Sequence, residues 1–145
     1  MPTEFQQNFD RQAEGYDLAR PEYPPELYSD IFAYCPIDES SRVLEIGLGT
    51  GKASGPVLET GCSLTGLEPG GNLGDLAKKR LGGYENLDLR GLTLQDYDCP
   101  DNAFDLVYAA TAFHWIPEEY GYRRVYDLLR PGGTFARFAY HAGPD

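Results

Sequence analysis

One stretch of the chain offers backbone, rather than side chains, as a binding surface. Glycines recur at alternate positions in Gly47-Leu48-Gly49-Thr50-Gly51, directly after the apolar run Arg42-Val43-Leu44-Glu45-Ile46. Glycine permits positive φ and lets a ligand approach the main chain with no Cβ in the way. A helix beginning after such a turn adds free N–H groups and the positive end of a dipole. Glu68 closes the next apolar run and falls beside the same crevice. A carboxylate there can accept hydrogen bonds from both hydroxyls of a ribose. Other readings of the glycines compete. A plain turn between strand and helix needs no ligand. A Walker phosphate loop needs G-x-x-x-x-G-K-S/T, but Ile46 stands at its first glycine and Ala53 at its hydroxyl position. A dinucleotide loop needs G-x-G-x-x-G, and Lys52 stands at its last glycine. The spacing present is E-x-G-x-G-x-G, headed by Glu45.

The elements that must position this turn alternate along the chain, with no internal repeat. Residues 1–22 are polar with scattered aromatics, Phe5, Phe9 and Tyr16 among them, and read as a helix or cap over the body. Pro24-Pro25-Glu26 suits a helix start, and Leu27, Ile31 and Tyr34 follow at helical spacing. Strands are predicted at 42–47, 63–68, 87–92, 104–109 and 134–140. A helix is expected from near Lys52, although Gly55 and Pro56 make its interior poor. Another covers 72–81, with Leu73, Leu76, Ala77 and Leu81 on one face and Lys78, Lys79 and Arg80 near its end. A third runs over 118–129 and is ended by Pro131-Gly132-Gly133. Strands alternating with helices give an α/β fold with a mainly parallel sheet.

Composition narrows the function. With 145 residues the chain suits one domain, 1–145, made of an N-terminal cap and first helix over 1–35 and a sheet core over 42–140. Twelve basic against 23 acidic residues give a net charge of −11, which repels phosphate backbones and anionic lipid. Neither nucleic acid nor a membrane is therefore an expected partner. No apolar run approaches the roughly 18 residues of a membrane span. The N-terminus lacks the apolar stretch of a secretory signal. Cys35, Cys62 and Cys99 are odd in number and widely spaced, so neither a disulfide framework nor a zinc site is expected, and a reducing cytoplasm fits. Two histidines, His114 and His141, are too few for a histidine-rich metal centre.

Four stretches together resemble the class I, Rossmann-like S-adenosylmethionine-dependent methyltransferases. Val43-Leu44-Glu45-Ile46-Gly47-Leu48-Gly49-Thr50-Gly51 is similar to the family's first motif, and Gly66-Leu67-Glu68-Pro69 to the acidic end of its second strand. Asp101 to Val107 with Phe113-His114-Trp115-Ile116 resembles strand four and the loop after it. Leu129-Arg130-Pro131-Gly132-Gly133 resembles the turn before strand five. Phe9-Asp10, Ala13-Glu14, Tyr16, Arg20-Pro21 and Tyr23-Pro24 are similar to the small-molecule branch. The resemblance implies a three-layer Rossmann-like sandwich with about five strands in the order 3-2-1-4-5. It implies S-adenosylmethionine as cofactor and methyl transfer to a small-molecule acceptor.

It also implies roles. Glu45 would orient the loop and lie near the methionine amino group, while Gly47, Gly49 and Gly51 pass under the methionine and ribose. Glu68 would hold the ribose hydroxyls, with Pro69 against the adenine. Leu94 and Gln95 fall where the family contacts adenine, the Gln95 amide oxygen taking the adenine amino group. Ala110 would line the methionine tail. Tyr16 and Arg20 would close over the cofactor, Arg20 pairing with the methionine carboxylate. His114, whose ordinary pKa is near neutrality, is the candidate general base.

The family sheet normally has seven strands, and this chain ends after the fifth, without the antiparallel pair. Strand five would then be an exposed edge carrying Phe135, Phe138 and Tyr140, a pairing hazard. This predicts either a shortened chain or a homo-oligomer that covers the edge. Two further readings stay open beside the enzyme. One is a non-catalytic methyltransferase-like module for cofactor binding or association. The other is a nicotinamide-dependent oxidoreductase, disfavoured by Lys52 in the glycine register.

Overall fold

The computed structural model describes residues 23–110 and 117–138. Tyr16, Arg20, His114, Trp115 and Tyr140 lie outside them.

Five strands form one sheet: β1 (Arg42–Ile46), β2 (Ser63–Leu67), β3 (Leu87–Arg90), β4 (Phe104–Ala110) and β5 (Leu129–Phe138), in the order β3-β2-β1-β4-β5. Every pairing is parallel. Among the described residues four helices interleave with them: α1 (Pro25–Tyr34), α2 (Gly55–Leu58), α3 (Gly71–Leu81) and α4 (Glu118–Leu128). A parallel sheet needs apolar residues on both faces, because crossover helices cover both. β1 and β4 comply. Val43, Leu106, Tyr108 and Ala110 join Tyr28, Val57, Ala77 and Leu81 in one core, and Leu44, Ile46, Val107 and Ala109 join Val125 and Leu128 in the other. Helices on both sides of one sheet make the three layers, and the five-stranded order is the one the resemblance implied.

Several elements differ from their sequence reading. α1 buries Tyr28, whose hydroxyl donates to the Ala53 carbonyl at 3.1 Å, while Leu27 and Ile31 pack against the core. Tyr34, at the expected helical spacing, is 81% exposed because it ends the helix beyond the sheet's cover. α2 spans only four residues and starts at Gly55 rather than near Lys52, as glycine and proline in sequence make a longer helix costly. β5 begins at Leu129, not Thr134. The pairing passes from Phe104↔Leu129 to Leu106↔Thr134, so Pro131-Gly132-Gly133 forms a bulge inside the strand rather than a turn before it. Gly132 takes φ 82°, and a Cβ on Gly133 would meet the Asp105 carbonyl at 3.1 Å.

The amino ends of the central strands are stapled. Asp105 accepts the Arg42 backbone N–H at 2.8 Å on one oxygen and the Arg130 guanidinium on the other. The Arg42 guanidinium lies 5.4 Å from the centre of the Phe104 ring. β1, β4 and β5 are thus tied at one end, and the loop at the opposite end of β1 carries the glycines.

Candidate functional site

Adjacent strands β1 and β4 leave the sheet in opposite directions of strand order, and the crevice between such strands at their carboxyl ends is where α/β sheets bind ligands. The glycine turn starts there. Gly47, Gly49 and Gly51 all have positive φ, at 67°, 63° and 88°. Gly51 is the most constrained, since a Cβ there would also meet Leu81 Cδ1 of α3 at 2.6 Å. The Leu48 N–H donates to the Leu67 carbonyl at 2.9 Å, so the turn continues the β1–β2 pairing before curling back. The Gly51 N–H then bonds the Leu48 carbonyl at 3.1 Å.

Glu68 stands directly beyond β2, buried to 8% exposure. One carboxylate oxygen accepts the Gly49 N–H at 2.7 Å, and the other accepts the Gly70 N–H at 2.8 Å. This single side chain therefore fixes the glycine turn and the entry to α3 together.

Glu45 is fully buried and has the same strand parity as Val43. Its Oε1 accepts the Ser54 hydroxyl at 2.6 Å and the Tyr108 hydroxyl at 2.5 Å. Burial first, then the Glu45 charge and this hydrogen bond, push the Tyr108 phenol well above its ordinary value near 10, so it stays a donor at neutral pH. Glu45 thereby links β1, β4 and the lead into α2 beneath the turn.

The structure brings Glu45, Gly47, Gly49, Gly51 and Glu68 to one place, at the ends of β1 and β2. Ala110 ends β4, on the other side of β1. Pro69 and Gln95 are exposed, whereas Leu94 is a core residue beside Leu44, Ile46 and Leu67. Tyr16, Arg20 and His114 fall outside the described residues. α2, at four residues, supplies little dipole. Three residues carry site geometry that the sequence reading gave no role: Tyr108, Ser54 and Gly66. A Cβ on Gly66 would meet Leu48 Cδ1 at 2.2 Å, so this glycine makes room for the turn's own leucine. The β1–β2 and β1–β4 registers, Glu45↔Gly66 and Glu45↔Tyr108, reveal two of them, and the hydrogen bond to Glu45 reveals Ser54.

The model of a methyltransferase domain matches residues 43–133. Among curated proteins, an uncharacterised methyltransferase of Geobacillus kaustophilus is 33% identical, over 92% of this chain and 65% of its own length. Uncharacterised methyltransferases of Mycobacterium tuberculosis and Schizosaccharomyces pombe are 31% and 28% identical, over 82% and 83% of this chain. The chain spans about half the length of these last two, 46% and 47%. Among solved structures, an S-adenosylmethionine-dependent methyltransferase of Aquifex aeolicus superposes with a TM-score of 0.72 at 16% identity, over 88% of this chain and 71% of that one. Phosphoethanolamine N-methyltransferase 2 of Haemonchus contortus, solved with S-adenosylmethionine, does so with a TM-score of 0.65 at 23% identity, over 74% and 26%. Strand order, the E-x-G-x-G-x-G turn tied to the acid beyond β2, and a family match across most of the sheet agree: the chain belongs to the class I, Rossmann-like S-adenosylmethionine-dependent methyltransferases.

Proposed function

We propose that this chain binds S-adenosylmethionine across the carboxyl ends of β2, β1 and β4 and transfers its methyl group to a small-molecule acceptor. The observation that carries the reading is the Glu68 carboxylate bonded to the Gly49 amide at 2.7 Å, an acid and a glycine cradle joined at the carboxyl ends of β2 and β1. The donor set fits the cofactor. Glu68 receives the ribose hydroxyls, and the turn at Gly47, Gly49 and Gly51 leaves its backbone open to the ribose and methionine. Glu45 lies on the methionine side and Ala110 lines the tail. Pro69, Leu94 and Gln95 serve the adenine. Tyr16 and Arg20 close over the site, with Arg20 on the carboxylate.

When bound, the cofactor supplies an electrophilic methyl on a sulfonium. The protein's work is then to align an acceptor with that methyl and exclude water. A base is needed only where the acceptor must lose a proton, and His114 is assigned to that role. The charge of −11 favours a small acceptor over a nucleic acid. Three free thiols, two of them buried, agree with a reducing, cytoplasmic setting. No described helix is long and apolar enough to cross a membrane.

Calorimetry with S-adenosylhomocysteine tests the binding, and tritium-methyl transfer to a panel of small acceptors tests the reaction. Saturable binding with label transfer is expected. Binding without transfer to any acceptor leaves the non-catalytic module, and no binding ends the reading. Equal transfer rates in wild type and His114→Ala remove the histidine from the chemistry.

A further inference from the structure

We propose that this chain pairs with a second copy of itself, the exposed tyrosine at the end of α1 in each copy seating in an apolar groove beside β3 in the other. The groove lies between the last turn of α3 and the outer strand β3. Leu81, Tyr84, Leu87 and Leu89 line it together with Lys78 and Gly82. Its volume is about 250 Å³. That is below the roughly 300–1,000 Å³ of small-molecule sites and suits one large side chain. Tyr84 is fixed there by donating its hydroxyl to Glu59. The charges beside the groove are unmatched within the molecule. Arg90 of β3 is neutralised by Asp88 at 2.9 Å. Lys78, Lys79 and Arg80 of α3 are exposed, and none of them forms an ion pair among the described residues.

α1 carries the complement. Glu26, Asp30 and Tyr34 recur at every fourth residue, so they share one side of the helix, and all three are exposed. Neither acid forms an ion pair among the described residues. An aromatic anchor filling a pocket carries much of the energy of a protein interface, and opposite charges around it set the register. Both patches can be engaged at once. α1 and α3 pack on the same core, through Tyr28 and through Ala77 and Leu81, so they cover the same face of the sheet. Tyr23, which leads into α1, meets the Phe138 ring of β5 edge-on, and Cys35, which follows it, lies 3.8 Å from the Asp105 carbonyl of β4. The groove lies at β3, the opposite outer strand. The acidic stripe and the basic groove thus occupy opposite sides of one face. A twofold axis between them lays each over its complement, which closes the pair with two identical contacts.

Sedimentation velocity across a concentration series tests the pairing, with circular dichroism to show that each variant is folded. All the substituted positions are exposed, so the fold is expected to survive them. Wild type is expected to dimerise, and less tightly at high salt. Tyr34→Ser is expected to weaken the dimer by about tenfold or more. Reversing the groove side, Lys78→Glu with Lys79→Glu, is expected to weaken it as well, and so is reversing the stripe, Glu26→Lys with Asp30→Lys. Combining the two reversals in one chain is expected to restore association, which a merely unfavourable surface charge would not do. A wild-type monomer at every concentration overturns the proposal. So does a dimer that Tyr34→Ser and both reversals leave unchanged, since the contact then lies on another surface such as the outer edge of β5. Failure of the combined variant to recover also overturns it, because the two patches then do not face each other.

Discussion

Glu68 ties the glycine turn to the start of α3 with one carboxylate, and the proposed function gives the same carboxylate the ribose diol. Glu68→Ala removes both. S-adenosylhomocysteine affinity is expected to fall by about tenfold or more in calorimetry, since a hydrogen bond to a charged group contributes about 1.5–3 kcal/mol. Glu68→Gln keeps an acceptor but loses the charge, and an intermediate loss is expected. An affinity that does not move in either variant would mean that the acid serves the turn alone. Glu68 was legible in the sequence because its meaning depends on local order: an acid after the second apolar run, following a glycine turn after the first. Tyr108 and Ser54 were not legible. Tyr108 looks like any β-favouring aromatic in an apolar run, and Ser54 like any loop serine. Their shared contact exists only once β4 lies beside β1 in a particular register.

At the scale of elements, β1, β2 and β4 were readable because they are buried on both faces and so appear as short continuous apolar runs bounded by turn residues. α2 and β5 were less readable. The sequence shows Gly55-Pro56 as a weak helix interior but not where the remaining turn begins. Pro131-Gly132-Gly133 has the composition of a stop, yet pairing with β4 resumes beyond it and starts before it. Tertiary pairing overrode the local signal. Two glycines give the elements their spacing, and each invites a test. Gly51→Ala combines φ 88° with a Cβ 2.6 Å from Leu81 Cδ1. A loss of about 1–3 kcal/mol in chemical denaturation is expected from the backbone strain. Gly66→Ala has no such strain, but its Cβ would meet Leu48 Cδ1 at 2.2 Å and displace the turn. Weaker S-adenosylhomocysteine binding is expected from it, beyond what the drop in melting temperature accounts for. If binding tracks melting temperature alone, Leu48 has moved without carrying the turn with it.

At the scale of the whole molecule, proton linkage and the sheet edge are the two properties open to measurement. Burial is the first cause of the raised titration of both Tyr108 and Cys62, above ordinary values of 10 and 9. The folded chain thus keeps protons that the unfolded chain gives up. Stability from these groups is fully present below the unfolded values and is lost as pH rises through the folded ones. Denaturation midpoints are expected to fall above about pH 9, with a shallower fall in Tyr108→Phe than in wild type. A wild-type midpoint that is flat into that range would count against the burial of both groups. β5 is the outer strand on its side of the described sheet, with Phe135 and Phe138 half-buried. Concentration-dependent association in sedimentation velocity is expected if copies pair there, and a monomer at every concentration removes that expectation.

The clasp of Asp105 on Arg42 and Arg130 gives the molecule a polarity that an engineer could use. One rim of the sheet is locked by a carboxylate spanning three neighbouring strands, so the other rim is relieved of holding them in place. Libraries at that other rim that keep the glycines of the turn after β1 fixed should be accepted with little damage to foldedness. Randomising the clasp should do the reverse and lower the yield of intact protein.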